Sequence, residues 1–218
     1  MPVKKIAVYG VGGFGREIAW LVESCSSRDE TYEIVCFIDD TQKLHGQTVN
    51  DIPVIGLEKA QETFPQCSVV GGVGVPRLRQ LLMERAFAAG FKPETIIHPR
   101  VEKSKWIEIG HGAVICAGNI LTTNITLGKQ VQINLDCTIG HDVTMLDYTT
   151  LAPGVHVSGC VHFGQRVFVG TGATIINGTQ EQPIAIGDDA VIGAGACVIK
   201  SILPGLTVVG IPAKPLQR

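Results

Sequence analysis

Two groups of residues have the types and the spacing for chemistry. The first is the segment GVGGFG at 10–15, where Gly10, Gly12 and Gly15 fit G-x-G-x-x-G after an apolar run and before a helical pattern, with Asp39 and Asp40 following a second apolar run. Glycines at such a turn let backbone N–H groups and a helix N-terminus face an anion, and paired carboxylates can take a ribose or a base edge. The same glycines would also serve a tight strand-to-helix turn that holds no ligand. The second group is His141, followed directly by Asp142 and standing 18 residues before Gly159. An imidazole with an ordinary pKa of about 6.5 accepts and returns protons near neutral pH. On a solvated corner the same pair would have no task.

The elements that must position the second group are visible as a repeat. Residues 107–178 divide into twelve blocks of six: IEIGHG, AVICAG, NILTTN, ITLGKQ, VQINLD, CTIGHD, VTMLDY, TTLAPG, VHVSGC, VHFGQR, VFVGTG and ATIING. The third place of every block is apolar, from Ile109 to Ile175, although only 45% of the chain is. Gly follows that place in five blocks, and the first place is mostly small or β-branched. A period of six suits neither a helix nor an alternating strand. It suits a parallel β-helix in which each block is a short strand and a turn, three blocks make a coil, and residues 18 apart stack about 4.8 Å from one another. His141 and Gly159 then share a corner. The register breaks after Gly178. It resumes as IAIGDD, AVIGAG, ACVIKS once residues 179–183 are set aside as a loop, which makes Thr171 and Ala194 a second stacked pair on a different edge.

Upstream, apolar runs at 4–9, 33–38, 68–71 and 95–98 alternate with helical patterns at 14–24 and 76–89, the latter opened by Pro76 and stopped by Gly90. Alternating strands and helices predict a small parallel sheet. Residues 1–98 are therefore expected to form an α/β domain and 99–218 a β-helix domain, with a polar link at 99–106. The first domain is short for the two halves of a dinucleotide fold, so one nucleotide fits better than NAD.

The net charge of −2 over 218 residues makes neither nucleic acid nor an anionic membrane an expected partner. No run reaches a membrane span and none reads as a signal peptide, which points to the cytoplasm. The seven cysteines contain no CxxC pair and read as small core residues.

With IGHD at 139–142, LAPGVHVSG at 151–159, the hexapeptide coils and the ending VGIPAKPL at 209–216, nearly the whole chain resembles the bacterial nucleotide-sugar N-acetyltransferases and sialic acid O-acetyltransferases. The subgroup it is most similar to includes the bacillosamine-pathway and perosamine acetyltransferases. The resemblance implies a Rossmann-like N-terminal half domain, a left-handed parallel β-helix, and acetyl transfer from acetyl-CoA to the 4-amino group of a nucleotide-linked deoxysugar. It makes His141 the general base and Asp142 the acid that raises its basicity, with Gly159 giving an N–H to the thioester carbonyl. Thr171 and Ala194 become further acetyl-CoA contacts. Gly12, Gly13, Phe14, Asp39, Asp40 and Gly74 fall on the sugar-nucleotide contacts. Three positions depart from the pattern: Thr150 stands for a second active-site histidine that contacts acetyl-CoA, Phe14 for the usual histidine of the glycine turn, and Val75 for the usual asparagine after Gly74.

Stacked pairs on two edges predict a homotrimer with sites between subunits, since one pantetheine arm reaches both edges only if a neighbour supplies one. A zinc site like that of the hexapeptide carbonic anhydrases would need histidines converging at one corner. His141, His156 and His162 are 15 and 6 residues apart, so no metal is expected. Open at this stage are sugar O-acetylation, a non-catalytic nucleotide-binding trimer, and the choice among UDP, GDP and dTDP.

Overall fold

Strand β1 (Val3–Tyr9) buries Ile6, Ala7, Val8 and Tyr9 in succession, the pattern of a parallel strand covered on both faces. The structure, a computed structural model, describes residues 3–26 and 31–216, in two compact units, Met1–Pro99 and Arg100–Arg218. In the first unit β1 is central. The other strands are β2 (Thr31–Ile38), β3 (Thr48–Val49), β4 (Ile52–Ile55), β5 (Ser68–Gly71) and β6 (Lys92–Pro93). The sheet order is β3-β4-β2-β1-β5-β6, all parallel except for β3 against β4. The chain leaves β1 toward β2 on one side, while β5 lies on the other, so the crevice at the carboxyl ends of β1 and β5 is the switch point where α/β sheets take ligands.

Among the described residues, three α-helices pack with the sheet. Helix α1 (Gly13–Ser24) buries Ile18, Ala19, Leu21 and Val22 at helical spacing, and α3 (Pro76–Ala88) opens with proline at its first turn, where no N–H is needed. Gly90, at φ 94°, ends α3 in the left-handed region that favours glycine. The sequence reading left 39–67 without elements, yet β3, β4 and α2 (Leu57–Thr63) lie there. These pieces are short, and α2 buries only Ala60, so neither periodicity nor length announces them. The edge strand of this sheet is β6 rather than the expected 95–98, where Ile96–Ile97 forms a separate strand.

The second unit is a left-handed parallel β-helix with three sides. One side stacks Val114–Ile115, Gln132–Ile133, Thr150–Leu151, Phe168–Val169 and Val191–Ile192. Partners are 18 apart until the inserted loop and 23 apart across it, as between Phe168 and Val191. Of the twelve third-place residues, eleven are buried and Ile109 is half-buried. Burying an Ile, Leu or Phe side chain contributes about 1.5–3 kcal/mol, so this column holds the coils together. Asn119, a buried polar residue in a first place, donates to the carbonyls of Cys116 (2.7 Å) and Asn134 (2.9 Å) and accepts from the Cys137 N–H (2.9 Å).

The sixth place has positive φ in eleven of the twelve blocks, among them Asp136, Asp142, Cys160 and Arg166. Gly178 is the exception, because there the chain departs into the loop. The expected polar link is part of the first coil: Glu102–Lys103 already pairs with Ile120–Leu121 at the 18-residue step. An end coil has only one neighbour to bury against, which explains its polar composition. All seven cysteines are free, and burial pushes the thiols of Cys36 to about 12 and Cys137 to about 11, as core residues require. Among the described residues no helix is long and apolar enough to cross a membrane.

Candidate active site

His141 and Asp142 form the turn after the strand Thr138–Ile139, and the left-handed backbone of Asp142 (φ 57°) folds its carboxylate beside the ring. His141 Nδ1 lies 2.7 Å from Asp142 Oδ2. The carboxylate is held below the usual range, first by the hydrogen bond from His141, then by that from Asn124 and by a contact with Gln180. An ionised carboxylate only accepts, so the neutral ring carries its proton on Nδ1 and its lone pair on Nε2. Asn124 donates to the other oxygen, Oδ1, at 3.2 Å.

One coil along, Gly159 lies flat against this ring. A Cβ at position 159 would stand 2.5 Å from both Cε1 and Nε2 of His141, closer than any real Cβ contact. The coil step is fixed by the Cys160 N–H donating to the His141 carbonyl at 2.9 Å. Among the described residues the Gly159 N–H has no hydrogen-bond acceptor, so a backbone donor is available beside Nε2. The loop at 179–183 begins and ends at the same corner: the Gly178 N–H donates to the Gly159 carbonyl (3.0 Å) and the Ile184 N–H to the Cys160 carbonyl (3.1 Å).

Thr171 and Ala194 stack at another corner, after the strands Phe168–Val169 and Val191–Ile192, with the Thr171 carbonyl accepting from the Gly195 N–H at 2.8 Å. Thr150 lies on that same side, in the strand one coil before Phe168–Val169, and is 4% exposed. His156 bonds to Thr138 (2.9 Å), and His162 sits on the third side opposite Thr144. The donor atoms of His141, Asp142 and Cys160 lie within 4.8 Å of one another. The first two spend a proton and a lone pair on each other, so the trio does not present the open donor set a structural metal needs.

The residues expected to meet a nucleotide converge in the first unit. The Gly10 turn closes with its N–H on the Ile38 carbonyl (2.7 Å), and its φ of 109° calls for glycine. Asp39 accepts from the N–H of Val11 (3.2 Å) and of Thr41 (2.9 Å). Asp40 accepts from the Tyr9 hydroxyl at 2.9 Å and pairs with Arg85. Burial first, then the bond to Asp40, raises the Tyr9 phenol well above its ordinary value. Gly12 and Gly13 are exposed, and Phe14 faces Gly74, whose Cβ would lie 4.0 Å from the ring. A groove of about 570 Å³ beside Asp39 and Asp40 is also lined by His45, Lys59 and Arg85.

Comparison with known proteins fits this arrangement. A family model of the PglD N-terminal domain matches residues 5–86. The GDP-perosamine N-acetyltransferase of Escherichia coli O157:H7 is 32% identical over 97% of this chain and 96% of its own. The chain belongs to the family of hexapeptide-repeat nucleotide-sugar N-acetyltransferases. The acetyltransferase domain of PglB from Neisseria gonorrhoeae, solved with acetyl coenzyme A, superposes with a TM-score of 0.86 at 34% identity, covering 99% of this chain and 100% of that one. PerB from Caulobacter crescentus, solved with CoA and GDP-perosamine, gives 0.84 at 26% identity, covering 98% and 97%. Like the other members of its family, the chain is an acetyltransferase.

Three site features escaped the sequence. Asn124 stands 18 residues before Asp142, so the stacking rule itself could have found it. Gln180, in the surface loop that interrupts the repeat, contacts Asp142. Arg85 carries no local signal, because its partner Asp40 is 45 residues away.

Proposed function

We propose that this enzyme acetylates the 4-amino group of a nucleotide-linked deoxysugar by direct attack on acetyl-CoA, with His141 as general base. The observation that supports this most is the corner where Nε2, with its lone pair, sits beside an unengaged backbone N–H while Nδ1 is locked to an ionised Asp142. The amine nitrogen attacks the thioester carbon as its proton passes to Nε2. The oxygen gathers negative charge facing the Gly159 N–H, and a donor so placed typically contributes a few kcal/mol. When the C–S bond breaks, the CoA thiolate takes the proton back from the imidazolium. The products are the acetamido sugar and free CoA. Asp142 keeps the ring in the required tautomer and stabilises its charged form.

In this reading Thr171 and Ala194 hold the CoA arm, and Gly12, Gly13, Phe14, Asp39, Asp40 and Gly74 hold the nucleotide sugar. Thr150 is too covered to replace a donor histidine, so Gly159 is the principal thioester contact. Because His141 and Thr171 occupy different corners of one coil stack, we infer a homotrimer whose sites combine corners of two subunits. An apolar groove of about 450 Å³ on the third side, lined by Leu146, Phe163, Ile186, Ile202 and Leu203, gives such an assembly a surface to cover. A cytoplasmic location follows from the use of acetyl-CoA.

The deciding experiment is CoA release from acetyl-CoA with GDP-, UDP- and dTDP-linked 4-amino sugars, GDP-perosamine first. Release coupled to N-acetylated product is expected with at least one of them. Release with a sialic acid alone would favour O-acetylation, and nucleotide binding with no release from any acceptor would overturn the reading.

A further inference from the structure

Arg79 is a buried cation at the end of the nucleotide-binding sheet that the proposed chemistry leaves unassigned. It lies on α3 with 0% exposure, a rarity for an arginine. Its Nη1 donates to the carbonyl oxygens of Val73, at 3.0 Å, and Gly74, at 3.2 Å. Gly71 makes room for the stem, since a Cβ there would stand 3.0 Å from Arg79 Cδ and 3.1 Å from Cγ. The cation therefore sits directly beneath the turn that joins β5 to α3.

That turn occupies the switch point of the sheet. The Gly72 N–H donates to the Tyr9 carbonyl at 2.8 Å, and a Cβ on Gly72 would lie 2.8 Å from the Gly10 carbonyl oxygen, so the two glycine turns are packed back to back. Peptide units are planar, with the C=O and the following N–H pointing to opposite sides. With the carbonyls of Val73 and Gly74 drawn onto the guanidinium, the same two peptide units carry the N–H groups of Gly74 and Val75 on the opposite side. Two successive amides turned away from a buried positive charge suit an anion, and here they stand opposite Phe14 and the glycine turn of α1.

We propose that Arg79 is a positioning residue for the acceptor: it fixes the 72–75 turn so that this turn receives the diphosphate of the nucleotide sugar, and its buried charge adds attraction. The inference rests on the acceptor reading above. It assigns to Arg79 no contact with the reacting atoms.

Arg79→Lys keeps the charge but reaches one carbonyl at a time, and Arg79→Met removes the charge at similar volume. The acceptor KM should rise roughly fivefold for Arg79→Lys and at least roughly thirtyfold for Arg79→Met, with kcat and the acetyl-CoA KM within about twofold of the parent. A purely structural role would weaken both substrates together. Calorimetric binding of GDP, UDP and dTDP to the same proteins separates this inference from the acceptor reading. A nucleoside diphosphate that binds the parent protein and is weakened by Arg79→Lys upholds the role of Arg79, even where no acetyl transfer occurs. If Arg79→Met does not fold, Arg79→Lys decides. An unchanged acceptor KM and nucleotide Kd in Arg79→Lys, equal losses for both substrates, or no nucleoside diphosphate binding to the parent protein would overturn it.

Discussion

Replacing Gly159 by alanine tests the geometry at the His141 corner. The new Cβ would meet Cε1 and Nε2 of His141 at 2.5 Å and Cδ2 at 2.9 Å. Ordinary carbon contacts settle at roughly 3.5–4.0 Å, so the ring must move by about 1 Å. With the ring side chain 60% exposed, it can swing outward without disturbing the coil. A misplacement of about 1 Å costs on the order of 10²-fold in rate, or ~2.7 kcal/mol of transition-state stabilisation. The backbone donor survives, because alanine keeps its N–H. Position 159 has no left-handed φ, so alanine is compatible with the backbone there and adds no conformational strain of its own. Steady-state CoA release should show kcat down about a hundredfold, with both KM values changed little and the melting temperature preserved. A kcat within threefold of the parent would refute the claim that Gly159 seats the imidazole. By contrast, a Cβ at Gly140 would strike the backbone of Ser158 and Gly159 at 2.7 Å, so Gly140→Ala should lower the melting temperature as well as the rate.

Replacing both Asp39 and Asp40 by alanine removes acceptors that hold Val11, Thr41, Tyr9 and Arg85 in place. A charge-assisted hydrogen bond is worth about 1.5–3 kcal/mol, so the acceptor KM should rise roughly ten- to hundredfold while that of acetyl-CoA stays put; equal losses, or tight NAD(H) binding, would contradict the assignment. Light scattering at micromolar concentration should give three times the protomer mass, and a protomer mass would count against sites shared between subunits. Asp142→Asn should lower kcat less than His141→Asn does, because the amide oxygen can still accept from Nδ1 and orient the ring. A loss as large as that of His141→Asn would contradict the division of roles between Asp142 and His141.

The β-helix was legible because its signal repeats: a side chain every six residues must point inward, so one rule fixes the register of 107–178 and, with the loop removed, of the blocks beyond it. That rule also brought His141 to Gly159. The Rossmann-like unit was legible where strands are long and buried, as at Ile6–Tyr9, and illegible at β3, β4 and α2, where each element is too short to show a period. Side-chain partnerships separated by no fixed step, such as Arg85 with Asp40 or Arg79 with the 72–75 turn, leave no trace in one sequence. They depend on how α3 packs on the sheet.

The most direct test of His141 as the base is the pH dependence of kcat for His141→Asn. Asparagine keeps some hydrogen bonding but accepts no proton near neutral pH, so kcat should fall by roughly 10²–10⁴ and stay low as pH rises, with both substrates still bound. Recovery of much of the lost activity as pH approaches the pKa of the acceptor amine would contradict it, and would show that the amine loses its proton to solvent while His141 only positions it.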